Sequence, residues 1–125
     1  MLFAMPSLKS VSAVLQGLFY VLAGRAHFTN PDFYLKIMPP YLPWHRELVF
    51  LSGVAEVVLG LGMLFPATRV WAAWGIIALL VAVFPANVYH LQSGGAGMDI
   101  PTWALWLRLP FQGLFLAWAY WHTTP

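Results

Sequence analysis

A 125-residue chain that is 61% hydrophobic and 17% aromatic carries charge at only 8% of its positions, with a mean hydropathy of +0.73, whereas a soluble domain holds roughly 25% charged residues. That balance excludes an ordinary soluble fold and predicts an integral membrane protein with room for about four spans of about 20 residues. The six Lys and Arg residues are scattered singly, which argues against a nucleic-acid partner, and the absence of cysteine excludes disulfides, thiol redox chemistry and Cys-ligated metals.

Four apolar segments follow one another, at about residues 8–27, 46–65, 69–90 and 103–121. Each is near spanning length. The expected architecture is therefore all-α: a single domain over residues 1–125 forming a four-transmembrane-helix bundle. In the first segment, Lys9 followed by Val11 to Ala23 has the shape of a signal peptide with a small-residue cleavage site around Gly24 and Ala26. Arg25 sits inside that site, so a retained first span is expected.

The connection HFTNPDFYLKIMPPYLPWH carries Pro31, Pro39, Pro40 and Pro43 among five aromatic residues. It cannot be a regular helix throughout, yet it is too apolar for a solvated loop. It is expected to lie at the membrane interface over the mouth of the bundle, either as an aromatic anchor or as a lid. In the second segment, Ser52, Gly53, Glu56 and Gly60 fall within about 100° of arc, a small-residue face around one carboxylate. Small residues let a neighbouring helix approach in lipid, and an unpaired charge facing lipid at the bilayer centre costs about 2.5 to 3.5 kcal/mol. Glu56 is thus expected to point inward.

Pro66 to Arg69 reads as a tight hairpin into the third segment, and LQSGGAGMDIPT as a Gly-rich loop into the fourth. Pro85 and Pro110 are expected to bend the third and fourth helices. Trp71, Trp74, Trp103, Trp106, Trp118 and Trp121 mostly cluster near span ends and read as an aromatic belt. Orientation is not decided by positive charge: with Arg25 and Arg108 taken as helix-embedded, Lys9 and Arg69 balance Lys36 and Arg46.

Counted from their connection ends, the spans bring polar residues to one depth: His27 ends the first, Asn87 and His90 close the third, and Arg108 and Gln112 open the fourth. Gln16, Tyr20, Gly24 and His27 share a face of the first helix, while Arg25 points elsewhere and is expected to snorkel. The candidate ligand-binding residues are His27, Glu56, Asn87, His90, Arg108 and Gln112. Two readings remain open: Glu56 pairs with Arg108 as interhelical glue, with the amides satisfying spare groups, or the residues form a functional polar pocket. No HxxxH or HExxH spacing supports a metal site, and P-loop, GxGxxG and hydrolase-elbow motifs are absent, so no catalytic residue is assigned.

The series AGRAHF, Pro31, Phe33, MPPYLP, SGVAE, FPANVY and RLPFQ, in this order from about residue 17 to 118, resembles the DoxX-like family of small bacterial membrane proteins. The matching positions are His27, Pro39, Pro43, Gly53, Glu56, Pro85, Asn87, Arg108, Pro110 and Gln112; Arg25 lies outside the pattern. The resemblance implies a four-helix protein of the bacterial inner membrane, with both termini expected in the cytoplasm. Members of that family range from subunits linked to quinone-dependent sulfur oxidation to cargo receptors. Two functions follow as expectations. One is a non-enzymatic module binding a membrane-protein partner or small ligand in the polar half-bundle. The other is a redox accessory binding quinone, whose electron carrier would belong to a partner because no haem or flavin motif is present. A small-solute or proton transporter is a weaker alternative, since no inverted repeat is detectable.

Overall fold

A computed structural model describes residues 7–95, 97, 98 and 100–124. Among them are five helices and no strand: α1 (Leu8–Thr29), α2 (Pro31–Lys36), α3 (His45–Leu64), α4 (Pro66–Gln92) and α5 (Thr102–Trp121). Two of these, α3 and α4, are long and apolar enough to cross a membrane.

Local chemistry sets the boundaries. Ser7 caps α1 by accepting the Ser10 amide on its hydroxyl at 3.0 Å, satisfying one of the amides a helix start leaves unpaired. Pro31 opens α2 at a position where a missing N–H costs nothing. The prolines after it break the chain into turns, and Trp44 reaches α3 in the left-handed region at φ 54°. The same proline rule corrects the expected hairpin at Pro66 to Arg69. Pro66 begins α4 itself, and Phe65 alone joins it to α3. In the connection to α5, Gly94, Gly95 and Gly97 adopt positive φ, while Ala96 and Asp99 of the expected loop lie outside the described residues. Pro85 and Pro110 sit inside α4 and α5.

The long helices pack in sequence, α1 on α3, α3 on α4 and α4 on α5. The α1–α3 contact is antiparallel and very close. A Cβ added at Gly17 would meet the Gly60 carbonyl oxygen at 2.6 Å, and one added at Gly24 would meet the Gly53 carbonyl oxygen at 2.9 Å. Only glycine permits that backbone approach.

The core fills the end of the molecule where α1 begins and α5 ends, the terminal end. Ala13 from the start of α1, Met63 from the end of α3, Ala72, Ala73 and Ile76 from the start of α4, and Ala119 from the end of α5 are buried together. Arg69 secures this end by donating its Nε to the Met63 carbonyl at 2.8 Å and Nη2 to the Leu64 carbonyl at 3.2 Å, which neutralises the open carbonyls of the α3 C-terminus. Trp118, expected in a belt, turns inward instead: its Nε1 donates to the Ser12 hydroxyl at 2.7 Å, as a half-buried indole N–H requires a partner. Trp71 and Trp103 are exposed.

Candidate ligand cavity

The opposite half, toward α2, is not filled. A cavity of about 300 Å³ opens between the helices there, at the lower end of the roughly 300–1,000 Å³ range of small-molecule sites. Its walls are mostly apolar, with Phe19 and Ala23 from α1, Val49 from α3, Leu79 and Val83 from α4, and Phe115 from α5. Five of the six residues singled out in the sequence line it: His27, Glu56, Asn87, Arg108 and Gln112. The sixth, His90, is buried behind Arg108 and bonded to it.

The polar groups fall into two sets on different walls. On the α1–α3 side, His27 Nδ1 lies 3.2 Å from the Ala23 carbonyl oxygen and 3.5 Å from Glu56 Oε2. A carbonyl only accepts, so Nδ1 carries the ring hydrogen. His27 has room to sit here because a Cβ on Gly53 would collide with its own Cβ at 2.7 Å. Its outer face stacks on Tyr34 of α2, with centroids 3.8 Å apart and an interplanar angle of 16°.

On the α4–α5 side, Arg108 donates Nη2 to Asn87 Oδ1 at 3.0 Å and Nη1 to His90 Nδ1. A guanidinium has no acceptor, so His90 offers the Nδ1 lone pair and carries its hydrogen on Nε2. Asn87 Nδ2 donates to Gln112 Oε1, and Gln112 Nε2 donates to the Leu80 carbonyl at 2.5 Å. The amide network is continuous, and each amide is used as both donor and acceptor.

This arrangement removes the pair on which the glue reading, one of the two left open, depended. Among the described residues no ion pair joins Glu56 to Arg108: Glu56 meets His27, and Arg108 is held by Asn87 and His90. The reason lies in the packing order, because α3 and α5 flank α4 and their polar faces look across the cavity. Charge complementarity alone does not bring two residues together when their helices are not neighbours.

Sequence reading missed Tyr34 as a site residue. It lies in the proline-rich connection, where no periodicity reports facing, and it lines the cavity above His27. Burial pushes its phenol above the ordinary value, with Glu56 adding to the shift and Arg108 opposing it, so Tyr34 sits within the field of both charges. Tyr20 also borders the cavity, and its hydroxyl is buried without a hydrogen-bond partner, as is Gln16 Oε1. The shared helical face of Gln16, Tyr20 and His27 was the available signal for Tyr20. Buried polar atoms left unpaired are uncommon and mark places where a further group fits.

No curated protein and no solved structure matches the chain. One family model, described as a domain of unknown function, DUF8561, matches residues 15–123. That match spans every residue of the cavity, and the chain belongs to this family.

Proposed function

We propose that this is a four-span membrane protein that binds a small amphipathic ligand in the cavity and performs no chemistry on it. The extension from two spans to four rests on α1 and α5, of 22 and 20 residues, long enough at about 1.5 Å per residue to cross a hydrocarbon core of about 30 Å. Both turn large apolar side chains outward, Leu15, Leu18 and Leu22 on α1 and Leu107, Phe111 and Leu114 on α5. The even number of spans puts both termini on one side, read here as the cytoplasm of a bacterial cell. A cysteine introduced at Ser93 should then label from outside intact cells, and one at Ser7 should not.

The observation that carries the binding role is that Glu56 and Arg108 border one cavity without pairing to each other. Charged groups withdrawn from water are costly unless satisfied. A ligand with a polar head completes both sets at once, while its apolar part contacts the aromatic walls. The ordered motifs support the DoxX-like reading and, with it, a second proposal: that the head group is a quinone serving a partner's redox centre. Phe19, Tyr34 and Phe115, all lining the cavity, suit a planar head.

Mass spectrometry of protein extracted gently from membranes tests the binding role. A lipid-soluble molecule at near one copy per chain is expected, displaced when Ala86→Phe fills the cavity. Retention unchanged by that substitution, or no retained molecule in the unaltered protein, overturns it. Identification of a quinone selects the second reading.

A further inference from the structure

The seam between α1 and α5 changes character along its length. At the terminal end it is laced by hydrogen bonds. Lys9 Nζ donates to the Thr124 carbonyl at 2.9 Å, Trp118 Nε1 to the Ser12 hydroxyl at 2.7 Å, and Gln16 Nε2 to the Phe115 carbonyl at 3.4 Å. Beyond Gln16 the lacing stops. Among the described residues no hydrogen bond joins α1 to α5 from there to α2, and the contact that follows is the stack of Phe19 on Phe115, with centroids 5.0 Å apart.

Two of the other seams are closed at the cavity's level. Gly24 and Gly53 bring the α1 and α3 backbones together, and the Asn87, Gln112 and Arg108 network ties α4 to α5. At the α1–α5 seam, the cavity wall consists of side chains that also form the outer surface: Phe19 and Phe111 line the cavity and are 44% and 51% exposed. Two aromatic side chains therefore separate the site from whatever surrounds the helices. Leu22 and Leu114 extend the apolar surface on either side.

Resting on the ligand-binding reading above, we propose that the ligand is a single-tailed lipid that enters sideways from the bilayer between α1 and α5. Its uncharged, ring-sized head, bearing a hydroxyl or carbonyl, occupies the cavity, and its tail leaves through the Phe19–Phe111 gap. The formal charges of Glu56 and Arg108 cancel, so a neutral head needs no counter-ion. A hydroxyl on it donates to Glu56, and an oxygen accepts from Arg108. Rotation of the two phenylalanine side chains opens the path without moving a helix.

The test uses 4-dodecylphenol as the tailed probe, a version with a diazirine at the tail end, and 4-ethylphenol as the tailless head. With the unaltered protein in liposomes, illumination should place the label on Leu22, Phe111 and Leu114, in competition with unlabelled 4-dodecylphenol. 4-Ethylphenol should compete at least about tenfold more weakly, because it lacks the methylenes that concentrate the tailed probe in the bilayer. Label spread equally over the outer faces of α3 and α4, at Val58 and Val81, or equal competition by the two phenols, overturns the lateral route while leaving a site in place. Absence of saturable labelling anywhere, together with no competition by 4-ethylphenol, overturns the binding reading itself.

Discussion

The two halves of the helix assembly use similar residue types to different ends. In the terminal half, small and apolar side chains are buried against one another, and the polar groups of Ser12, Arg69 and Trp118 are spent on tying one helix to the next. In the half beneath α2, the bulkier Phe19, Leu79 and Phe115 stand around a void of about 300 Å³, and the polar groups point into it. Polar residues in an apolar helix assembly therefore do not announce their role by type. What separates a tie from a site is whether the space between the helices is filled.

The sharpest way to break the comparison is at the α1–α3 contact that supports both halves. Gly60→Leu should destabilise the protein by about 3 kcal/mol or more, because its Cβ would lie 2.7 Å from the Gly17 carbonyl oxygen and 2.9 Å from the Val21 amide nitrogen, and backbone yields little to overpacking. Gly113→Leu on α5 meets nothing within 4 Å and should stay within about 0.5 kcal/mol of the unaltered protein. Thermal melting in detergent reads both. Equal losses would mean that α1 and α3 do not approach as described.

Truncation compares the two halves directly. Ile76→Ala in the filled half should cost about 3 kcal/mol, and Leu79→Ala on the cavity wall only about 1 kcal/mol, since Ile76 is fully buried in the core whereas Leu79 already borders empty space. Matching losses would show the cavity to be as tightly packed as the core.

Much of this division was legible in the sequence, and the reason is geometric. Apolar runs give helix extents, and counting from the connection ends gave a common depth for His27, Glu56, Asn87 and Arg108, because antiparallel helices share a depth scale whatever their neighbours. Partner choice was not legible. It depends on which helices touch, and the docking of Gly17 on Gly60 and of Gly24 on Gly53 decides that by shape, so Glu56 met His27 across a glycine contact rather than Arg108 across a void. Tyr34 escaped for another reason: it sits on α2, a helix of 6 residues opened by Pro31, too short to show a period.

The filled half also makes a pH prediction, at His122 just past the end of α5. Its Nε2 lies 3.2 Å from the Ser12 hydroxyl, which receives the Trp118 N–H, and its Nδ1 is buried without a partner. Burial, with Lys9 and Arg69 nearby, holds its pKa below the ordinary value. The unfolded chain then takes up the proton first as pH falls, so this histidine's contribution is intact above about 6.5 and is lost as pH drops toward its folded value. His122→Gln should remove that component, making the melting difference from the unaltered protein shrink or reverse between pH 8 and pH 5. Parallel curves across that range would show that the ring is not held neutral by its surroundings.

The smallest expected number is a coupling, and it is the one that distinguishes a tie from a site. Arg108→Gln should cost about 2 kcal/mol, because Asn87 Oδ1 and His90 Nδ1 each lose their donor in a place water does not reach freely. Glu56→Gln should cost about 1 kcal/mol or less, since the His27 Nδ1 hydrogen keeps its bond to the Ala23 carbonyl and only the 3.5 Å contact to the carboxylate changes. If the two residues paired, each single change would strand a charge and the double change would recover part of the loss. Facing each other across the cavity without contact, they should instead add, with an interaction energy below about 0.5 kcal/mol. The same four proteins, assayed for binding of 4-dodecylphenol, should show the opposite pattern: either single change removes most of the binding, and the second removes little more, because one head group needs both walls. Strong coupling in stability with none in binding would place Glu56 and Arg108 among the ties and leave the cavity without its polar purpose.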